Sequence, residues 1–307
     1  MSAITGISVV IPAFNAFPYI KDAVSSIFRQ SFAEWEIIIV DKESTDGTYE
    51  YINKLANSDS RVKVITQTSS GIGNARNLGI QAATFEWIAC LDADDISYPD
   101  RLDIQSAFLE QHSEFVFVSC DTKFIDLNGE DLGIIKRHKL RHPPQYEPYY
   151  DGNVPHQGAL FSKKAALAVG GYREFPQGED YDLFLRLSER YKLASLPQVL
   201  VGTRILETGL TLQGFELQRM YWMYAKDCAR KRRSQQKELN FQEWEENNRE
   251  KILRKKNKWT SQKKFTLIGF YIAQRRWIKA FSTFICVFIM NPKYAVSKLF
   301  TYRHSGL

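Results

Sequence analysis

The first two thirds of this 307-residue chain predict an α/β fold with a mostly parallel central sheet flanked by helices. Three observations carry that expectation. Strand-like and helix-like segments alternate from residue 7 onward. The strand segments are short apolar runs of the kind buried on both faces of a parallel sheet. The apolar runs at 36–40 and 86–91 stop at acidic residues, where the C-terminal edge of an open α/β sheet binds ligands.

Residues 7–12 (Ile-Ser-Val-Val-Ile-Pro) read as the first strand. Residues 20–28 have helical spacing, with Ile20, Ala23, Val24, Ile27 and Phe28 on one face. A second strand spans 36–40, and Thr45-Asp46-Gly47-Thr48 then signals a helix start leading to Tyr51, Ile52 and Leu55. The third strand is 61–65, a helix follows at 74–83, and a fourth strand spans 86–91. This β-α order argues for parallel strands joined by helices over both faces. Beyond it, 114–125 reads as strand, 137–150 as a long loop rich in Pro, His and Tyr, and 153–161 as another strand. A helix at 163–169 stops at Gly170-Gly171, and 180–191 is an amphipathic helix. From about Phe215 strand signals vanish. The chain is therefore divided into a domain at 1–214 and a helical, basic and aromatic region at 215–307.

Charge is distributed unevenly. Residues 226–307 hold 20 Lys and Arg against 6 Asp and Glu, a net of +14, whereas the residues before them hold 21 against 29, a net of −8. A basic tail on an acidic body points to an anionic surface. The four cysteines have neither metal-ligand nor redox spacing and read as free thiols in a reducing compartment. The chain opens directly into a strand, without the pattern of a signal peptide. No uncharged stretch approaches the roughly 20 residues of a membrane span.

The strongest chemical signal is Leu91-Asp92-Ala93-Asp94-Asp95, three acids closing an apolar strand. Crowded carboxylates are costly to desolvate unless a cation sits among them. Hard oxygen ligands suit Mg²⁺ or Mn²⁺, which commonly accompany phosphates. Asp41, after the second strand, reads either as a turn residue or as an acceptor for a base or ribose. Asn15 after the first strand is a weaker candidate. Gly71-Ile72-Gly73-Asn74-Ala75-Arg76 lacks the third glycine of a dinucleotide fingerprint, since Arg76 fills that position, and it follows the third strand rather than the first. Arg76 at a helix start can contact phosphate or base, or be a surface residue. Gly178-Glu179-Asp180 reads either as an acidic helix N-terminus or as a general base at a pocket mouth.

In order along the chain, Val10-Ile11-Pro12-Ala13-Phe14-Asn15, Val40-Asp41 with Ser44-Thr45-Asp46-Gly47-Thr48, Gly73-Asn74-Ala75-Arg76-Asn77-Leu78-Gly79-Ile80, Leu91-Asp92-Ala93-Asp94-Asp95 and Glu179-Asp180-Tyr181-Asp182-Leu183 resemble glycosyltransferase family 2 over roughly residues 7–205. The resemblance implies the GT-A fold and an inverting transfer from a nucleotide-sugar donor, UDP- or dTDP-linked, with a divalent metal, Mn²⁺ or Mg²⁺. It implies that Pro12 and Ala13 line the nucleotide pocket with Asn15 beside them, that Asp41 binds the base, and that Arg76 lies beside the nucleotide. Asp92 would contact ribose or sugar, Asp94 would bind the metal, and Asp180 would be the general base. His156 matches a position near the acceptor; Glu179, and more weakly Asp182, are further candidates.

Two positions depart from the family pattern. Lys42 follows Asp41 where a second acid is usual, and no His follows Arg204, leaving Glu207 as a candidate substitute ligand. Gln274-Arg275-Arg276-Trp277 is similar to a run in processive synthases, but its position in the tail reads as coincidence. Trp277, Phe281, Phe284 and Phe288 recur at helical spacing among basic residues, a pattern suited to an anionic membrane interface. Without a nucleic-acid motif, no nucleic-acid partner is expected. The resulting expectation is a cytoplasmic transferase, peripheral at the inner face of a bacterial membrane, adding a sugar to a saccharide or lipid-linked acceptor. The alternatives are a sugar nucleotidyltransferase and a catalytically degenerate scaffold. Oligomeric state is not legible.

Overall fold

The structure is a computed structural model describing residues 3–69, 71–136, 156–206 and 209–304. It divides into two compact units, Met1–Arg204 and Ile205–Leu307.

The first unit opens with β1 (Ile7–Ala13), α1 (Ile20–Phe28), β2 (Trp35–Asp41), α2 (Thr48–Ser58), β3 (Val62–Thr66), α3 (Ile72–Ala82) and β4 (Trp87–Cys90). These four strands are parallel, in the order β3-β2-β1-β4. Then come β5 (Ile96–Ser97), α4 (Arg101–Gln111), β6 (Phe115–Ile125), β7 (Asp131–Lys136), β8 (Leu160–Ser162), α5 (Lys163–Ala168), α6 (Glu179–Ser188) and β9 (Lys192–Arg204). They extend the same sheet as β4-β8-β6-β9-β5, with β7 also paired to β6. Beyond β4 the sheet is mixed: β8 runs antiparallel to both β4 and β6, while β6 and β9 are parallel.

Burial on both faces explains the apolar strands. Ile7, Val9, Ile11, Ile37 and Ile39 pack with Ile20, Val24 and Ile27 of α1, Ile52 of α2 and Leu102 and Leu109 of α4. On the opposite face α3 approaches so closely that a Cβ on Gly79 would lie 2.3 Å from Val10 Cγ1. Glycine at 79 is therefore a packing requirement rather than a phosphate-binding turn.

Pro12 sits in a central strand, a position proline usually avoids because it lacks an N–H. The geometry removes the conflict. Val10 C=O accepts from Leu91 N on the β4 side, whereas Ala13 C=O accepts from Lys42 N on the β2 side. The missing Pro12 N–H therefore faces the β4 side, where pairing ends at Val10–Cys90. The C-terminal ends of β1 and β4 are thus left unpaired with each other, the position at which an open α/β sheet binds its ligand.

Strand β9, thirteen residues long, lacks a clean sequence signature because Pro197 and Gln198 interrupt it. They form a bulge: Cys120 pairs with Leu196, and the next residue, Asp121, with Val199. The loop expected at 137–150, the start of the strand expected at 153–161, and Glu207 lie outside the described residues.

The second unit contains α7 (Leu210–Gln213), α8 (Phe215–Arg233), α9 (Phe241–Asn247), α10 (Arg249–Ala273), α11 (Trp277–Met290) and α12 (Pro292–His304). Buried Trp244 sits beside Tyr224 and Phe241, and Phe241 stacks on Tyr221 at 4.1 Å. Asn240 and Glu243 cap α9 reciprocally. A second cluster joins Ile268, Ala280, Val287 and Ala295. The Gln274–Trp277 run forms the turn between α10 and α11, with Arg275 at φ +57°. Among the described residues no helix is long and apolar enough to cross a membrane.

Candidate active site

The segments at the C-terminal ends of β1, β2 and β4, with the starts of α3 and α6, hold most of the residues singled out from the sequence. Asp41, the last residue of β2, is fully buried. Its carboxylate accepts from Ser44 N at 3.0 Å and Ser44 Oγ at 2.6 Å. Ser44 Oγ in turn accepts from Asn15 N at 2.9 Å, and Asn15 Oδ1 accepts from Thr45 N at 2.9 Å. Asn15 has φ +47°, a conformation asparagine tolerates better than most residues. The ends of β1 and β2 are thus locked into one rim by two side chains reaching across. Asp46 continues the rim, accepting from Phe17 N and from the Thr48 amide and hydroxyl at the start of α2. Where the family pattern has a second acid, Lys42 places its Nζ 5.3 Å from the centre of the exposed Phe14 ring.

Arg76 lies in the first turns of α3 and is buried, contrary to a surface reading. Its guanidinium donates to Asp92 Oδ1 at 3.1 Å and pairs closely with Glu179. Burial opposes its charge, but the carboxylates of Glu179 and Asp92 outweigh it, so its pKa is raised. Arg76 therefore ties the end of β4 to the start of α6. A Cβ on Gly73 would fall 2.8 Å from the Arg173 carbonyl oxygen, so glycine there lets the segment before α6 approach α3. Asn77 clamps the same segment by exchanging two hydrogen bonds, each 2.8 Å, with the Tyr172 backbone. The Gly73–Gly79 motif is thus mainly a docking device.

At the end of β4, the Asp94 carboxyl is pushed up to about 7 by burial and the neighbouring charge of Asp92. Among the described residues no basic side chain forms an ion pair with it, although Arg204 Nε donates to its backbone carbonyl at 2.8 Å. Asp95 is buried; its Oδ1 accepts from Arg204 N at 2.9 Å and its Oδ2 has no hydrogen-bond partner among the described residues. Burial and the charges of Asp94 and Asp92 raise its pKa as well. Asp92 is paired with Arg76, but Asp94 and Asp95 have no ion pair among the described residues, and a divalent cation there would favour the ionised form of Asp94. Among the described residues no three His, Cys, Asp or Glu side chains converge to form a complete metal cage. Asp94 is the residue that would hold such an ion.

Glu179 and Asp180 open α6 after Gly178, whose φ is +77°. Glu179 faces Arg76, and burial pushes its carboxyl up to about 7, aided by Asp180 and opposed by Arg76. Asp180 is half-buried at the positive end of the helix. Asp182 is committed to structure: it receives Arg186 Nε at 2.8 Å, and Arg186 also donates to the carbonyls of Val169 and Gly171.

His156 is buried, with Nε2 2.7 Å from Tyr172 Oη and its ring 6.0 Å from that of Phe184. Burial, with the charges of Arg76 and Arg101, lowers its pKa well below the usual value. It braces Tyr172 from beneath. Two residues not singled out from sequence matter here. Arg204 ties the acidic strand end to Asp22 of α1 and to the carbonyls of Asp126 and Leu127. Tyr172 lies beside Arg76, its ring centre 5.7 Å from the guanidinium. Tyr172 follows a glycine pair that reads only as a helix stop, and Arg204 ends a segment for which the sequence carried no strand signal.

These strand ends belong to a GT-A fold. The family described as Glycosyl transferase family 2 matches residues 8–169, and the chain belongs to it. An uncharacterized glycosyltransferase of Rickettsia felis is 29% identical over 211 residues, 66% of this chain and 33% of that protein. The chondroitin synthase of Pasteurella multocida is 28% identical over 200 residues, 63% of this chain and 20% of that protein. The chain thus spans a third or less of the length of these relatives. Among solved structures, S. aureus TarS 1–349 superposes with a TM-score of 0.56 at 19% identity, covering 73% of this chain and 66% of that one. A mannosyltransferase of Pyrobaculum calidifontis in complex with GDP-Man and Mn²⁺ gives 0.56 at 16% identity, covering 97% and 79%.

Proposed function

We propose that residues 1–214 form the catalytic domain of an inverting glycosyltransferase that moves a sugar from a UDP- or dTDP-sugar to a saccharide or lipid-linked saccharide. The product would belong to a cell-surface polysaccharide made at the cytoplasmic face of a bacterial membrane. The observation that carries the reading is the Arg76 bridge. It links Asp92, two residues before Asp94, to Glu179, the neighbour of Asp180 at the head of α6, which supports a reading in which a diphosphate-metal site and a candidate base lie close together.

The Asp41–Ser44–Asn15 rim would receive the base, and Asp92 the ribose or sugar. Asp94 would hold Mn²⁺ or Mg²⁺, which when bound stabilises the negative charge of the departing diphosphate. Asp180 would accept the proton of the acceptor hydroxyl as that oxygen bonds to the anomeric carbon. The bond from that carbon to the diphosphate oxygen breaks with its electron pair, and a single displacement inverts the centre. Glu179 and Arg76 act on the geometry of Asp180 and Asp92.

Calorimetric titration of UDP, dTDP and GDP, each with Mn²⁺ and with chelator, tests the donor half. Metal-dependent binding of one nucleotide, lost in Asp94→Ala, supports the reading, and no binding of any of them sinks it. Asp180→Asn should keep nucleotide binding and abolish transfer; unchanged turnover removes Asp180 as the base.

A further inference from the structure

The helical unit presents a face that its own packing leaves open. On α11, Ala280 and Val287 are buried in the cluster with Ile268 and Ala295, and Phe284 packs against that cluster. Trp277, Ile278, Phe281, Ile285, Phe288 and Ile289 are instead exposed, from 42% at Ile285 to 87% at Ile278. Their spacing of i, i+1, i+4, i+8, i+11 and i+12 places all six on one side of a helix with 3.6 residues per turn. The aromatic repeat in the sequence therefore divides by role: Phe284 turns inward, while Trp277, Phe281 and Phe288 turn out. A contiguous apolar stripe of this kind marks a surface that something covers.

The surrounding charge identifies the occupant. Residues 251–307 carry 13 Lys and Arg and no Asp or Glu. Arg275, Arg276 and Lys279 stand at the N-terminal end of α11, and Lys293 and Lys298 follow its C-terminal end. A second copy of this face would bring cations against cations. A surface combining an apolar layer with a dense anionic layer satisfies both features at once, and an anionic lipid bilayer is such a surface. Length sets the orientation. The 14 residues of α11 extend about 21 Å at the α-helical rise, short of the roughly 30 Å hydrocarbon core. The helix would lie in the plane of the interface, with the Trp277 indole at headgroup depth.

We propose that α11 is an in-plane membrane anchor: its Trp277, Ile278, Phe281, Ile285, Phe288 and Ile289 face enters the acyl-chain boundary of an anionic bilayer, and the flanking lysines and arginines engage lipid phosphates. The inference rests on α11 and its neighbours and does not depend on the transfer reaction.

The test uses the full chain with vesicles of phosphatidylcholine alone and of phosphatidylcholine mixed with phosphatidylglycerol. Co-sedimentation should favour the anionic vesicles and weaken with salt. Ile278→Glu with Phe281→Glu should reduce the vesicle-bound to free ratio at least tenfold, since two largely exposed apolar side chains are removed from the face that would enter the bilayer. Thermal unfolding and metal-dependent nucleotide titration should be unchanged in that variant, which separates failure of the anchor from failure of the catalytic reading. In parallel, lipids brominated near the headgroup should quench a blue-shifted tryptophan signal that Trp277→Phe removes; this readout stands even if the double variant misfolds. Absence of binding by the unaltered chain, full binding by a folded double variant, or a vesicle-induced signal unchanged in Trp277→Phe would each overturn the proposal. So would a lipid-free dimer that the double variant dissociates without altering vesicle binding, since the face would then belong to a second copy.

Discussion

Replacing Arg76 with methionine keeps the volume of the side-chain stem and removes the cation that bridges Glu179 and Asp92. Breaking a buried ion pair by deleting one partner costs about 3–5 kcal/mol, because the other charge is left uncompensated. Two features put this case at the low end. Glu179, already near 7, can neutralise itself by taking up a proton. The Asp92 side chain is about a quarter exposed and can regain water. The expected loss is therefore about 3 kcal/mol, a fall in Tm of roughly 6–12 °C for a unit of about 200 residues. The loss should grow as pH rises above 7, where keeping Glu179 protonated becomes progressively harder. Thermal unfolding at neutral and alkaline pH measures both effects. A double-mutant cycle with Glu179→Gln should give a coupling of at least about 1 kcal/mol. Unfolding within about a degree of the unaltered protein, or no coupling, would show that the bridge does not hold β4 to α6.

Two further outcomes follow from the packing. His156 has a folded pKa well below its unfolded value, so its contribution is fully present above about pH 6.5 and is lost as pH falls. Between pH 7 and 5 the unaltered protein should lose about 2 kcal/mol more stability than His156→Gln, measured by urea unfolding; equal losses would mean that the imidazole protonates in the folded state. In Gly79→Ala, the clash with Val10 should outweigh the roughly 1 kcal/mol gain in helix propensity. Combining it with Val10→Ala should recover at least about 1 kcal/mol relative to the sum of the single changes, and strict additivity would refute the close approach.

The legible elements were those whose local pattern agrees with their burial. β1, β2 and α1 are read from runs such as Ile37-Ile38-Ile39-Val40 and from Ile20, Ala23, Val24 and Ile27, because strands buried on both faces and one-faced helices leave strong periodicities. β9 left none, since its bulge at Pro197 and Gln198 makes sense only against β6. The acids after β4 and at the head of α6 were visible as candidates, since carboxylates at strand ends and helix starts are conspicuous along the chain.

Their conjunction was not visible. Sequence order alone determined the parallel half of the sheet, the motif set of the family, and the basic tail, free of acids over 251–307. Tertiary structure decided that Arg76 is a buried bridge across a separation of 103 residues to Glu179 rather than a residue on the helix surface. It likewise decided that Gly73 and Gly79 serve close packing, that His156 is a brace beneath Tyr172, and that Phe284 turns inward while Trp277 and Phe281 turn out. The physical reason is common to all four. A residue's chemistry is written locally, but its partner, its exposure and hence its charge state depend on which distant segment packs against it.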